Sequence, residues 1–211
     1  MTDQNQNEEE LQKREAVGII RASRFVRRFS RSQKPIDIEV VKQIHEEIFR
    51  KARPDIAGKF REEEIKIRGS DHRPPHHSQV PELMYLDDIE LKKKLSKLSP
   101  VTSLLLANEI SDQEAEMVDN ILETAAWVHY RITYIHPFSD GNGRTARLAA
   151  NLILERFGLV GISIKIEREN KNRYIQALVQ IDKMNDMEPL KNLILEGLTD
   201  RYDGVVMKYT A

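Results

Sequence analysis

Apolar residues recur every three or four positions along most of this chain. Ala16, Ile19, Ile20, Ala22, Phe25, Val26 and Phe29 keep that spacing, and Ile38, Val41, Ile44 and Ile48 resume it, so two amphipathic helices open the sequence. "RPDIAG", from Arg53 to Gly58, stops the second, because a residue before proline avoids the helical region and glycine tolerates a positive φ. The pattern then changes. "EEIKIRGSDHRPPHHSQVPE", residues 63–82, alternates at Ile65 and Ile67 and runs into glycine and a Pro-Pro pair, which predicts a short β-hairpin or extended flap. Pro81 suits a helix first turn, and Met84, Leu91, Leu95 and Leu98 carry an apolar stripe up to Ser99 and Pro100. Ser111 and Glu114 form a capping box, after which Val118, Ile121, Ala125, Val128 and Ile132 lead a helix towards His136. Leu148 and Leu152 mark another helix that Gly158 terminates. "GISIKIE" predicts a brief extended stretch, and "NRYIQALVQI" and "PLKNLILEGL" two further helices. Neither a repeat nor a domain-sized linker interrupts the series, so the expectation is one all-α domain of about eight helices with a hairpin flap. A polar leader and helical arm (1–35) would precede the main domain (36–200), with a tail or short helix (201–211) after it.

Composition narrows the partners. The 211 residues carry a formal net charge of −1, with 32% charged and 40% apolar positions, so no whole-chain polarity calls for nucleic acid or an anionic membrane. The absence of cysteine excludes disulfides, a thiolate zinc site and thiol catalysis, and fits a reducing compartment such as the cytoplasm. "MTDQNQNEEELQKRE" lacks the basic start and apolar stretch of a signal peptide, and Glu155 and Arg156 break the longest apolar run, so no membrane span is expected. Arg21, Arg24, Arg27, Arg28 and Arg31 line one helical face, read as a solvated face rather than a nucleic-acid or lipid surface. His72, His76 and His77 lack a spacing diagnostic of metal and are read as part of a recognition loop. His129 and Trp127 are read as packed core residues.

The chemistry concentrates in "HPFSDGNGRTAR", residues 136–147. Pro137 ends the preceding helix at His136, and the loop "SDGNG" opens the next. A glycine loop at a helix start is an anion site, since early amide hydrogens lack partners and the helix dipole places positive charge there. Gly141 and Gly143 remove Cβ atoms from that approach, while Arg144 and Arg147 offer forked donors to phosphate oxygens. Asp140 suits an anion site only if it holds a cation, and Mg²⁺ would reconcile it with phosphate. His136 has an ordinary pKa near neutral and can serve as a base. The bland alternative makes Asp140 a helix cap, the glycines a turn, the arginines solvated charges and His136 a packed residue.

The same twelve residues resemble the signature of Fic domain proteins: His136, Phe138, Asp140, Gly141, Asn142, Gly143, Arg144 and Arg147 match it position by position. Weaker similarity runs over roughly residues 38–200 through "AGKFR", "PPHHSQVPELM" and "NRYIQAL". The resemblance implies a helical Fic fold and transfer of AMP from ATP to a Tyr, Thr or Ser hydroxyl of a target protein docked by strand addition on the flap, 63–82. His136 would be the general base and Asp140 the Mg²⁺ ligand. Asn142 and the amides of Gly141 and Gly143 would hold phosphates, Arg144 and Arg147 would clamp the outer ones, and Phe138 would anchor the loop. Tyr174 would border the adenine pocket, with Asp182 or Asn185 nearby. Related kinases carry lysine at the position of Arg144, which favours AMP as the transferred group. A transferase using another phosphate-containing donor and a nucleotide-binding regulatory module without transfer are the alternatives.

Many relatives also carry an inhibitory helix in which Ser or Thr stands four positions before a glutamate followed by Gly or Asn, and that glutamate pairs with the second motif arginine. The string nearest to this is "NLILEG", with Glu196 preceded four back by Asn192. Ser78 with Glu82 and Ser163 with Glu167 lack the final Gly or Asn. Glu196 is thus a weak candidate, and the expectation is a chain either unrestrained or restrained by a separate, antitoxin-like polypeptide.

Overall fold

The computed structural model describes residues 2–67, 70–101, 111–162 and 168–209. Its described elements are α1 (Thr2–Ser30), α2 (Ile38–Phe49), a 3-10 turn (His77–Gln79), α3 (Val80–Leu95), α4 (Asp112–Ile135), α5 (Asn142–Arg156), α6 (Arg168–Met184) and α7 (Glu188–Tyr209). The central helix is α5, which packs on α4, α1 and α2. Its Ala146, Ala149 and Ala150 are buried, as are Ala125 and Ala126 of α4, and these small side chains let neighbouring backbones approach while Leu152, Ile153 and Leu154 fill the space beyond. α7 closes the far side against α4 and α6 through Leu190, Ile194 and Leu198.

The helix starts follow the sequence. Asp37 accepts the Val40 amide hydrogen at the head of α2, and Asp88 of α3 accepts that of Ile38, joining two helices through one cap. Ser111 and Glu114 make the full reciprocal capping box on α4. Pro81 lies in the first turn of α3. α1 runs as one helix from Thr2, and at Gly18 it lies so close to α2 that a Cβ would fall 1.9 Å from the Ile48 carbonyl oxygen. Arg21 donates to the Glu47 carbonyl and pairs with its carboxylate, whereas Arg24, Arg27, Arg28 and Arg31 are exposed.

The flap differs from its expected form. Residues 61–67 and 70–76 contain no strand, and no strand occurs elsewhere among the described residues. Pro74 and Pro75 have no amide hydrogen to give to a ladder, and the segment is held instead by side chains. The buried Arg61 donates to the carbonyls of Glu63 and Pro75, and Glu64 accepts the His77 amide hydrogen. The expected extended "GISIKIE" lies mostly outside the described residues, which hold seven α-helices where about eight were expected. No described helix is long and apolar enough to cross a membrane.

Candidate active site

α4 ends at Ile135 and is capped by His136, whose φ of 51° places it in the left-handed region, and α5 begins six positions later at Asn142. The turn between them is built from inside. Phe138 is fully buried, stacked on His45 with ring centres 3.9 Å apart and planes 7° apart, with Phe60 5.8 Å away. Asn142 accepts the Phe138 amide hydrogen at 2.9 Å and donates back to the Phe138 carbonyl at 2.7 Å, so its buried side chain closes the loop on itself. Gly141 has a φ of 76°, and a Cβ there would meet the Phe49 ring at 2.3 Å.

Two positioning residues escaped the sequence reading. His45 of α2 accepts the Gly58 amide hydrogen at Nδ1, so Nε2 carries the proton and donates to the Asp140 carbonyl at 3.0 Å. Its only sequence signal is a polar residue on the buried face of α2, four positions from both Val41 and Phe49. Arg61 donates to the His136 carbonyl at 2.8 Å and to the Ile135 carbonyl, while its own amide hydrogen goes to Pro137. One guanidinium thereby satisfies the C-terminal carbonyls of α4 and ties the loop to the flap.

His136 donates from Nδ1 to the Thr133 carbonyl at 2.7 Å, which leaves the Nε2 lone pair available. Burial, and less so the neighbouring His72 and Arg61, hold its pKa below the ordinary value, so the imidazole is neutral at pH 7. Across the turn, α5 starts with no side-chain cap, leaving first-turn amide hydrogens for an outside acceptor. Asp140 Oδ1 accepts from the Gly141 amide and from Arg144 at 3.2 Å, while among the described residues Oδ2 accepts nothing. A half-exposed carboxylate with one free oxygen, beside unpaired amides, fits a hard cation bridging to phosphate. Arg144 also forms an ion pair with Glu15 of α1 and lies 4.8 Å over the Phe49 ring.

Arg147 passes near Gly143, where a Cβ would lie 3.4 Å from Nη1, and among the described residues no carboxylate pairs with it. Burial lowers its pKa. Tyr174 of α6 is beside Arg147 and bonds through its hydroxyl to His129 Nε2 at 2.9 Å. Asp182 accepts from the Tyr130 hydroxyl at 2.7 Å and faces His72 at 3.6 Å, whereas Asn185 caps the end of α6 with a φ of 54°. Glu196 stands elsewhere: its carboxylate accepts from Arg173 at 2.7 and 3.1 Å on an exposed surface. Among the described residues, the carboxylate from outside the loop that reaches a motif arginine is that of Glu15, on Arg144. The Ser/Thr-to-Glu pattern passes over it because Leu11 stands four before and Ala16 directly after.

Buried imidazoles make this site acid-sensitive. Burial lowers the His45 pKa from 6.5 to about 4 and that of His129 to about 3. An unfolded chain binds these protons near pH 6.5, so folding stability is complete above that pH and falls as pH drops towards 4. His45 alone should remove about 3 kcal/mol over that interval. Urea denaturation at several pH values is the check, and equal midpoints at about pH 7 and about pH 5 would contradict neutral burial of both rings.

The arrangement can be compared with known proteins. The model of the Fic/DOC family matches residues 35–154, more than half of the chain and all of the His136–Arg147 loop. The chain belongs to the Fic/DOC family. A protein adenylyltransferase Fic from Nematostella vectensis is 31% identical over 180 residues, covering 85% of this chain and 36% of that protein. The Fic chain thus spans about a third of the length of the curated relatives it matches. A solved Fic-1 fragment from C. elegans superposes with a TM-score of 0.67 at 25% identity, covering 93% of this chain and 52% of that one. BepC from Bartonella tribocorum, solved with AMPPNP, shares the fold with a TM-score of 0.61 at 17% identity, covering 93% of this chain and 88% of that one.

Proposed function

We propose that this Fic chain transfers AMP from ATP to a Tyr, Thr or Ser hydroxyl of another protein. The observation that carries the reading is His136, neutral and with Nε2 free, facing the uncapped start of α5 across one short turn. Relatives named protein adenylyltransferase at 24–31% identity support it. In this reaction His136 Nε2 takes the hydroxyl proton, the hydroxyl oxygen bonds to the α-phosphorus, and the bond to the departing pyrophosphate breaks. The main-chain amides of Asn142 and Gly143, joined by that of Gly141 when it leaves Asp140 Oδ1, hold phosphate oxygens, and the Asn142 side chain maintains the loop that aims them. Arg144 and Arg147 bind the outer phosphates. Asp140 Oδ2 would hold Mg²⁺, which neutralises phosphate charge. Tyr174, fixed by His129, lines the base end beside Arg147.

The target docks on the 63–82 segment, where residues 64–67 pair with no strand and their main chain is open to strand addition. A separate polypeptide that supplies a carboxylate to Arg147 would restrain the reaction. The test is ATP labelled at the α- or at the γ-phosphate, added with Mg²⁺ to a whole lysate. Label entering protein from the α-position alone is expected; γ-label alone would make the chain a kinase, and no label from either would make it a nucleotide-binding module.

A further inference from the structure

The loop before α3 brings Glu64 back to the adjacent pair His76 and His77. Glu64, His76 and His77 each offer a ligand atom, and these atoms all lie within 4.8 Å of one another. His76 Nε2 and Glu64 Oε1 are 3.4 Å apart. Ligands of a tetrahedral zinc ion, each about 2.0–2.2 Å from the metal, are separated by about 3.4 Å, so this pair already has the spacing of two donors on one ion.

Supporting bonds aim the donors. His76 Nδ1 accepts the Ser78 amide hydrogen at 3.3 Å and lies 2.8 Å from Ser78 Oγ, so giving Nε2 to a metal moves the ring proton to Nδ1, where that hydroxyl accepts it. The Glu64 carboxylate is oriented by the His77 amide hydrogen, which it accepts at 3.1 Å. The two imidazole rings lie 4.3 Å apart, tilted by 33°, and can converge on one point.

We propose that Glu64, His76 and His77 form a binding site for one divalent transition-metal ion of the zinc type. Two imidazoles and a carboxylate suit Zn²⁺ and its neighbours in the first transition row and disfavour Mg²⁺, which prefers oxygen ligands. Three protein ligands leave a fourth position to water. The ion joins the start of the flap to the 3-10 turn that precedes α3, clamping both ends of the segment that leads to the Arg61 tie. The three residues lie on the segment proposed to dock the target but take no part in the chemical step, so the site holds or fails whichever way the labelled-ATP experiment turns out.

The experiment is titration of the untagged full chain with Zn²⁺ by calorimetry, repeated with Co²⁺ to read the intense visible absorption of a four-coordinate ion. One Zn²⁺ per chain is expected at micromolar concentration. His76→Ala and His77→Ala should each weaken it more than tenfold, and Glu64→Gln should weaken it several-fold, while His72→Ala and His136→Ala leave it unchanged. Circular dichroism of each variant confirms folding. Binding that survives the His76→Ala/His77→Ala double variant, binding lost in His72→Ala or His136→Ala, or no binding at micromolar Zn²⁺ would each overturn the proposal.

Discussion

Replacing His136 with alanine is expected to lower protein-directed AMP transfer by about 10²–10⁴-fold, the usual contribution of a positioned general base. Its imidazole, with Nδ1 bonded to the Thr133 carbonyl, keeps Nε2 free at the loop that opens α5. His45 uses both nitrogens in the loop, His129 donates to or accepts from Tyr174 in the core, and His72 is spent on the Tyr134 carbonyl and Asp182. The substitution leaves the phosphate-binding amides and both arginines in place, so ATP affinity should change far less than turnover. The pH profile separates a base from a mere packing residue. With a pKa held below 6.5 by burial, His136 is active when neutral, so kcat/KM should fall on an acidic limb lying below that pH. Residual activity of the alanine variant should lack that limb. An alanine variant with undiminished turnover would remove His136 from the chemistry and return the site to a binding role.

The sequence made the site unusually legible because its parts are contiguous. A base at a helix end, a tight loop and a helix start need only local geometry, and Pro137, Gly141 and Asn142 encode that geometry within a few positions. Helical periodicity likewise located the main helices, since each buries one face against α5 or its neighbours. What pattern could not show are the side chains that arrive from elsewhere. His45 and Arg61 lie 75 or more positions upstream of the backbone they hold at His136 and Asp140, and neither has a local motif. The flap is extended without a described strand for a different reason: alternation at Ile65 and Ile67 marks extended backbone, but a hairpin needs a partner, and the proline pair offers no amide hydrogens. Glu64 and the two adjacent histidines meet only because Arg61 and the 3-10 turn fold that segment back.

Glu15→Gln is expected to raise AMP transfer and ATP affinity together, by about 5- to 150-fold, the range spanned by couplings of about 1–3 kcal/mol between sites. The reason is competition for one guanidinium. Arg144 divides its donors between Glu15 and Asp140, so the group suited to the outer phosphates is bound to one carboxylate, and the carboxylate suited to Mg²⁺ is bound to it in turn. Both partners of the Glu15 pair are largely shielded from water, which makes the pair stronger than an exposed one. Glutamine keeps the size and some hydrogen bonding but removes the charge, so Arg144 can turn to phosphate and Asp140 is released with it. Glu196→Gln should change nothing, because its partner Arg173 is on another surface. Arg144→Ala combined with Glu15→Gln should erase the gain, since the released group is then missing. Two outcomes separate restraint from simple anchoring of α1: a gain in activity with little change in thermal midpoint marks restraint, whereas a lower midpoint with no gain marks Glu15 as a structural tie between α1 and α5.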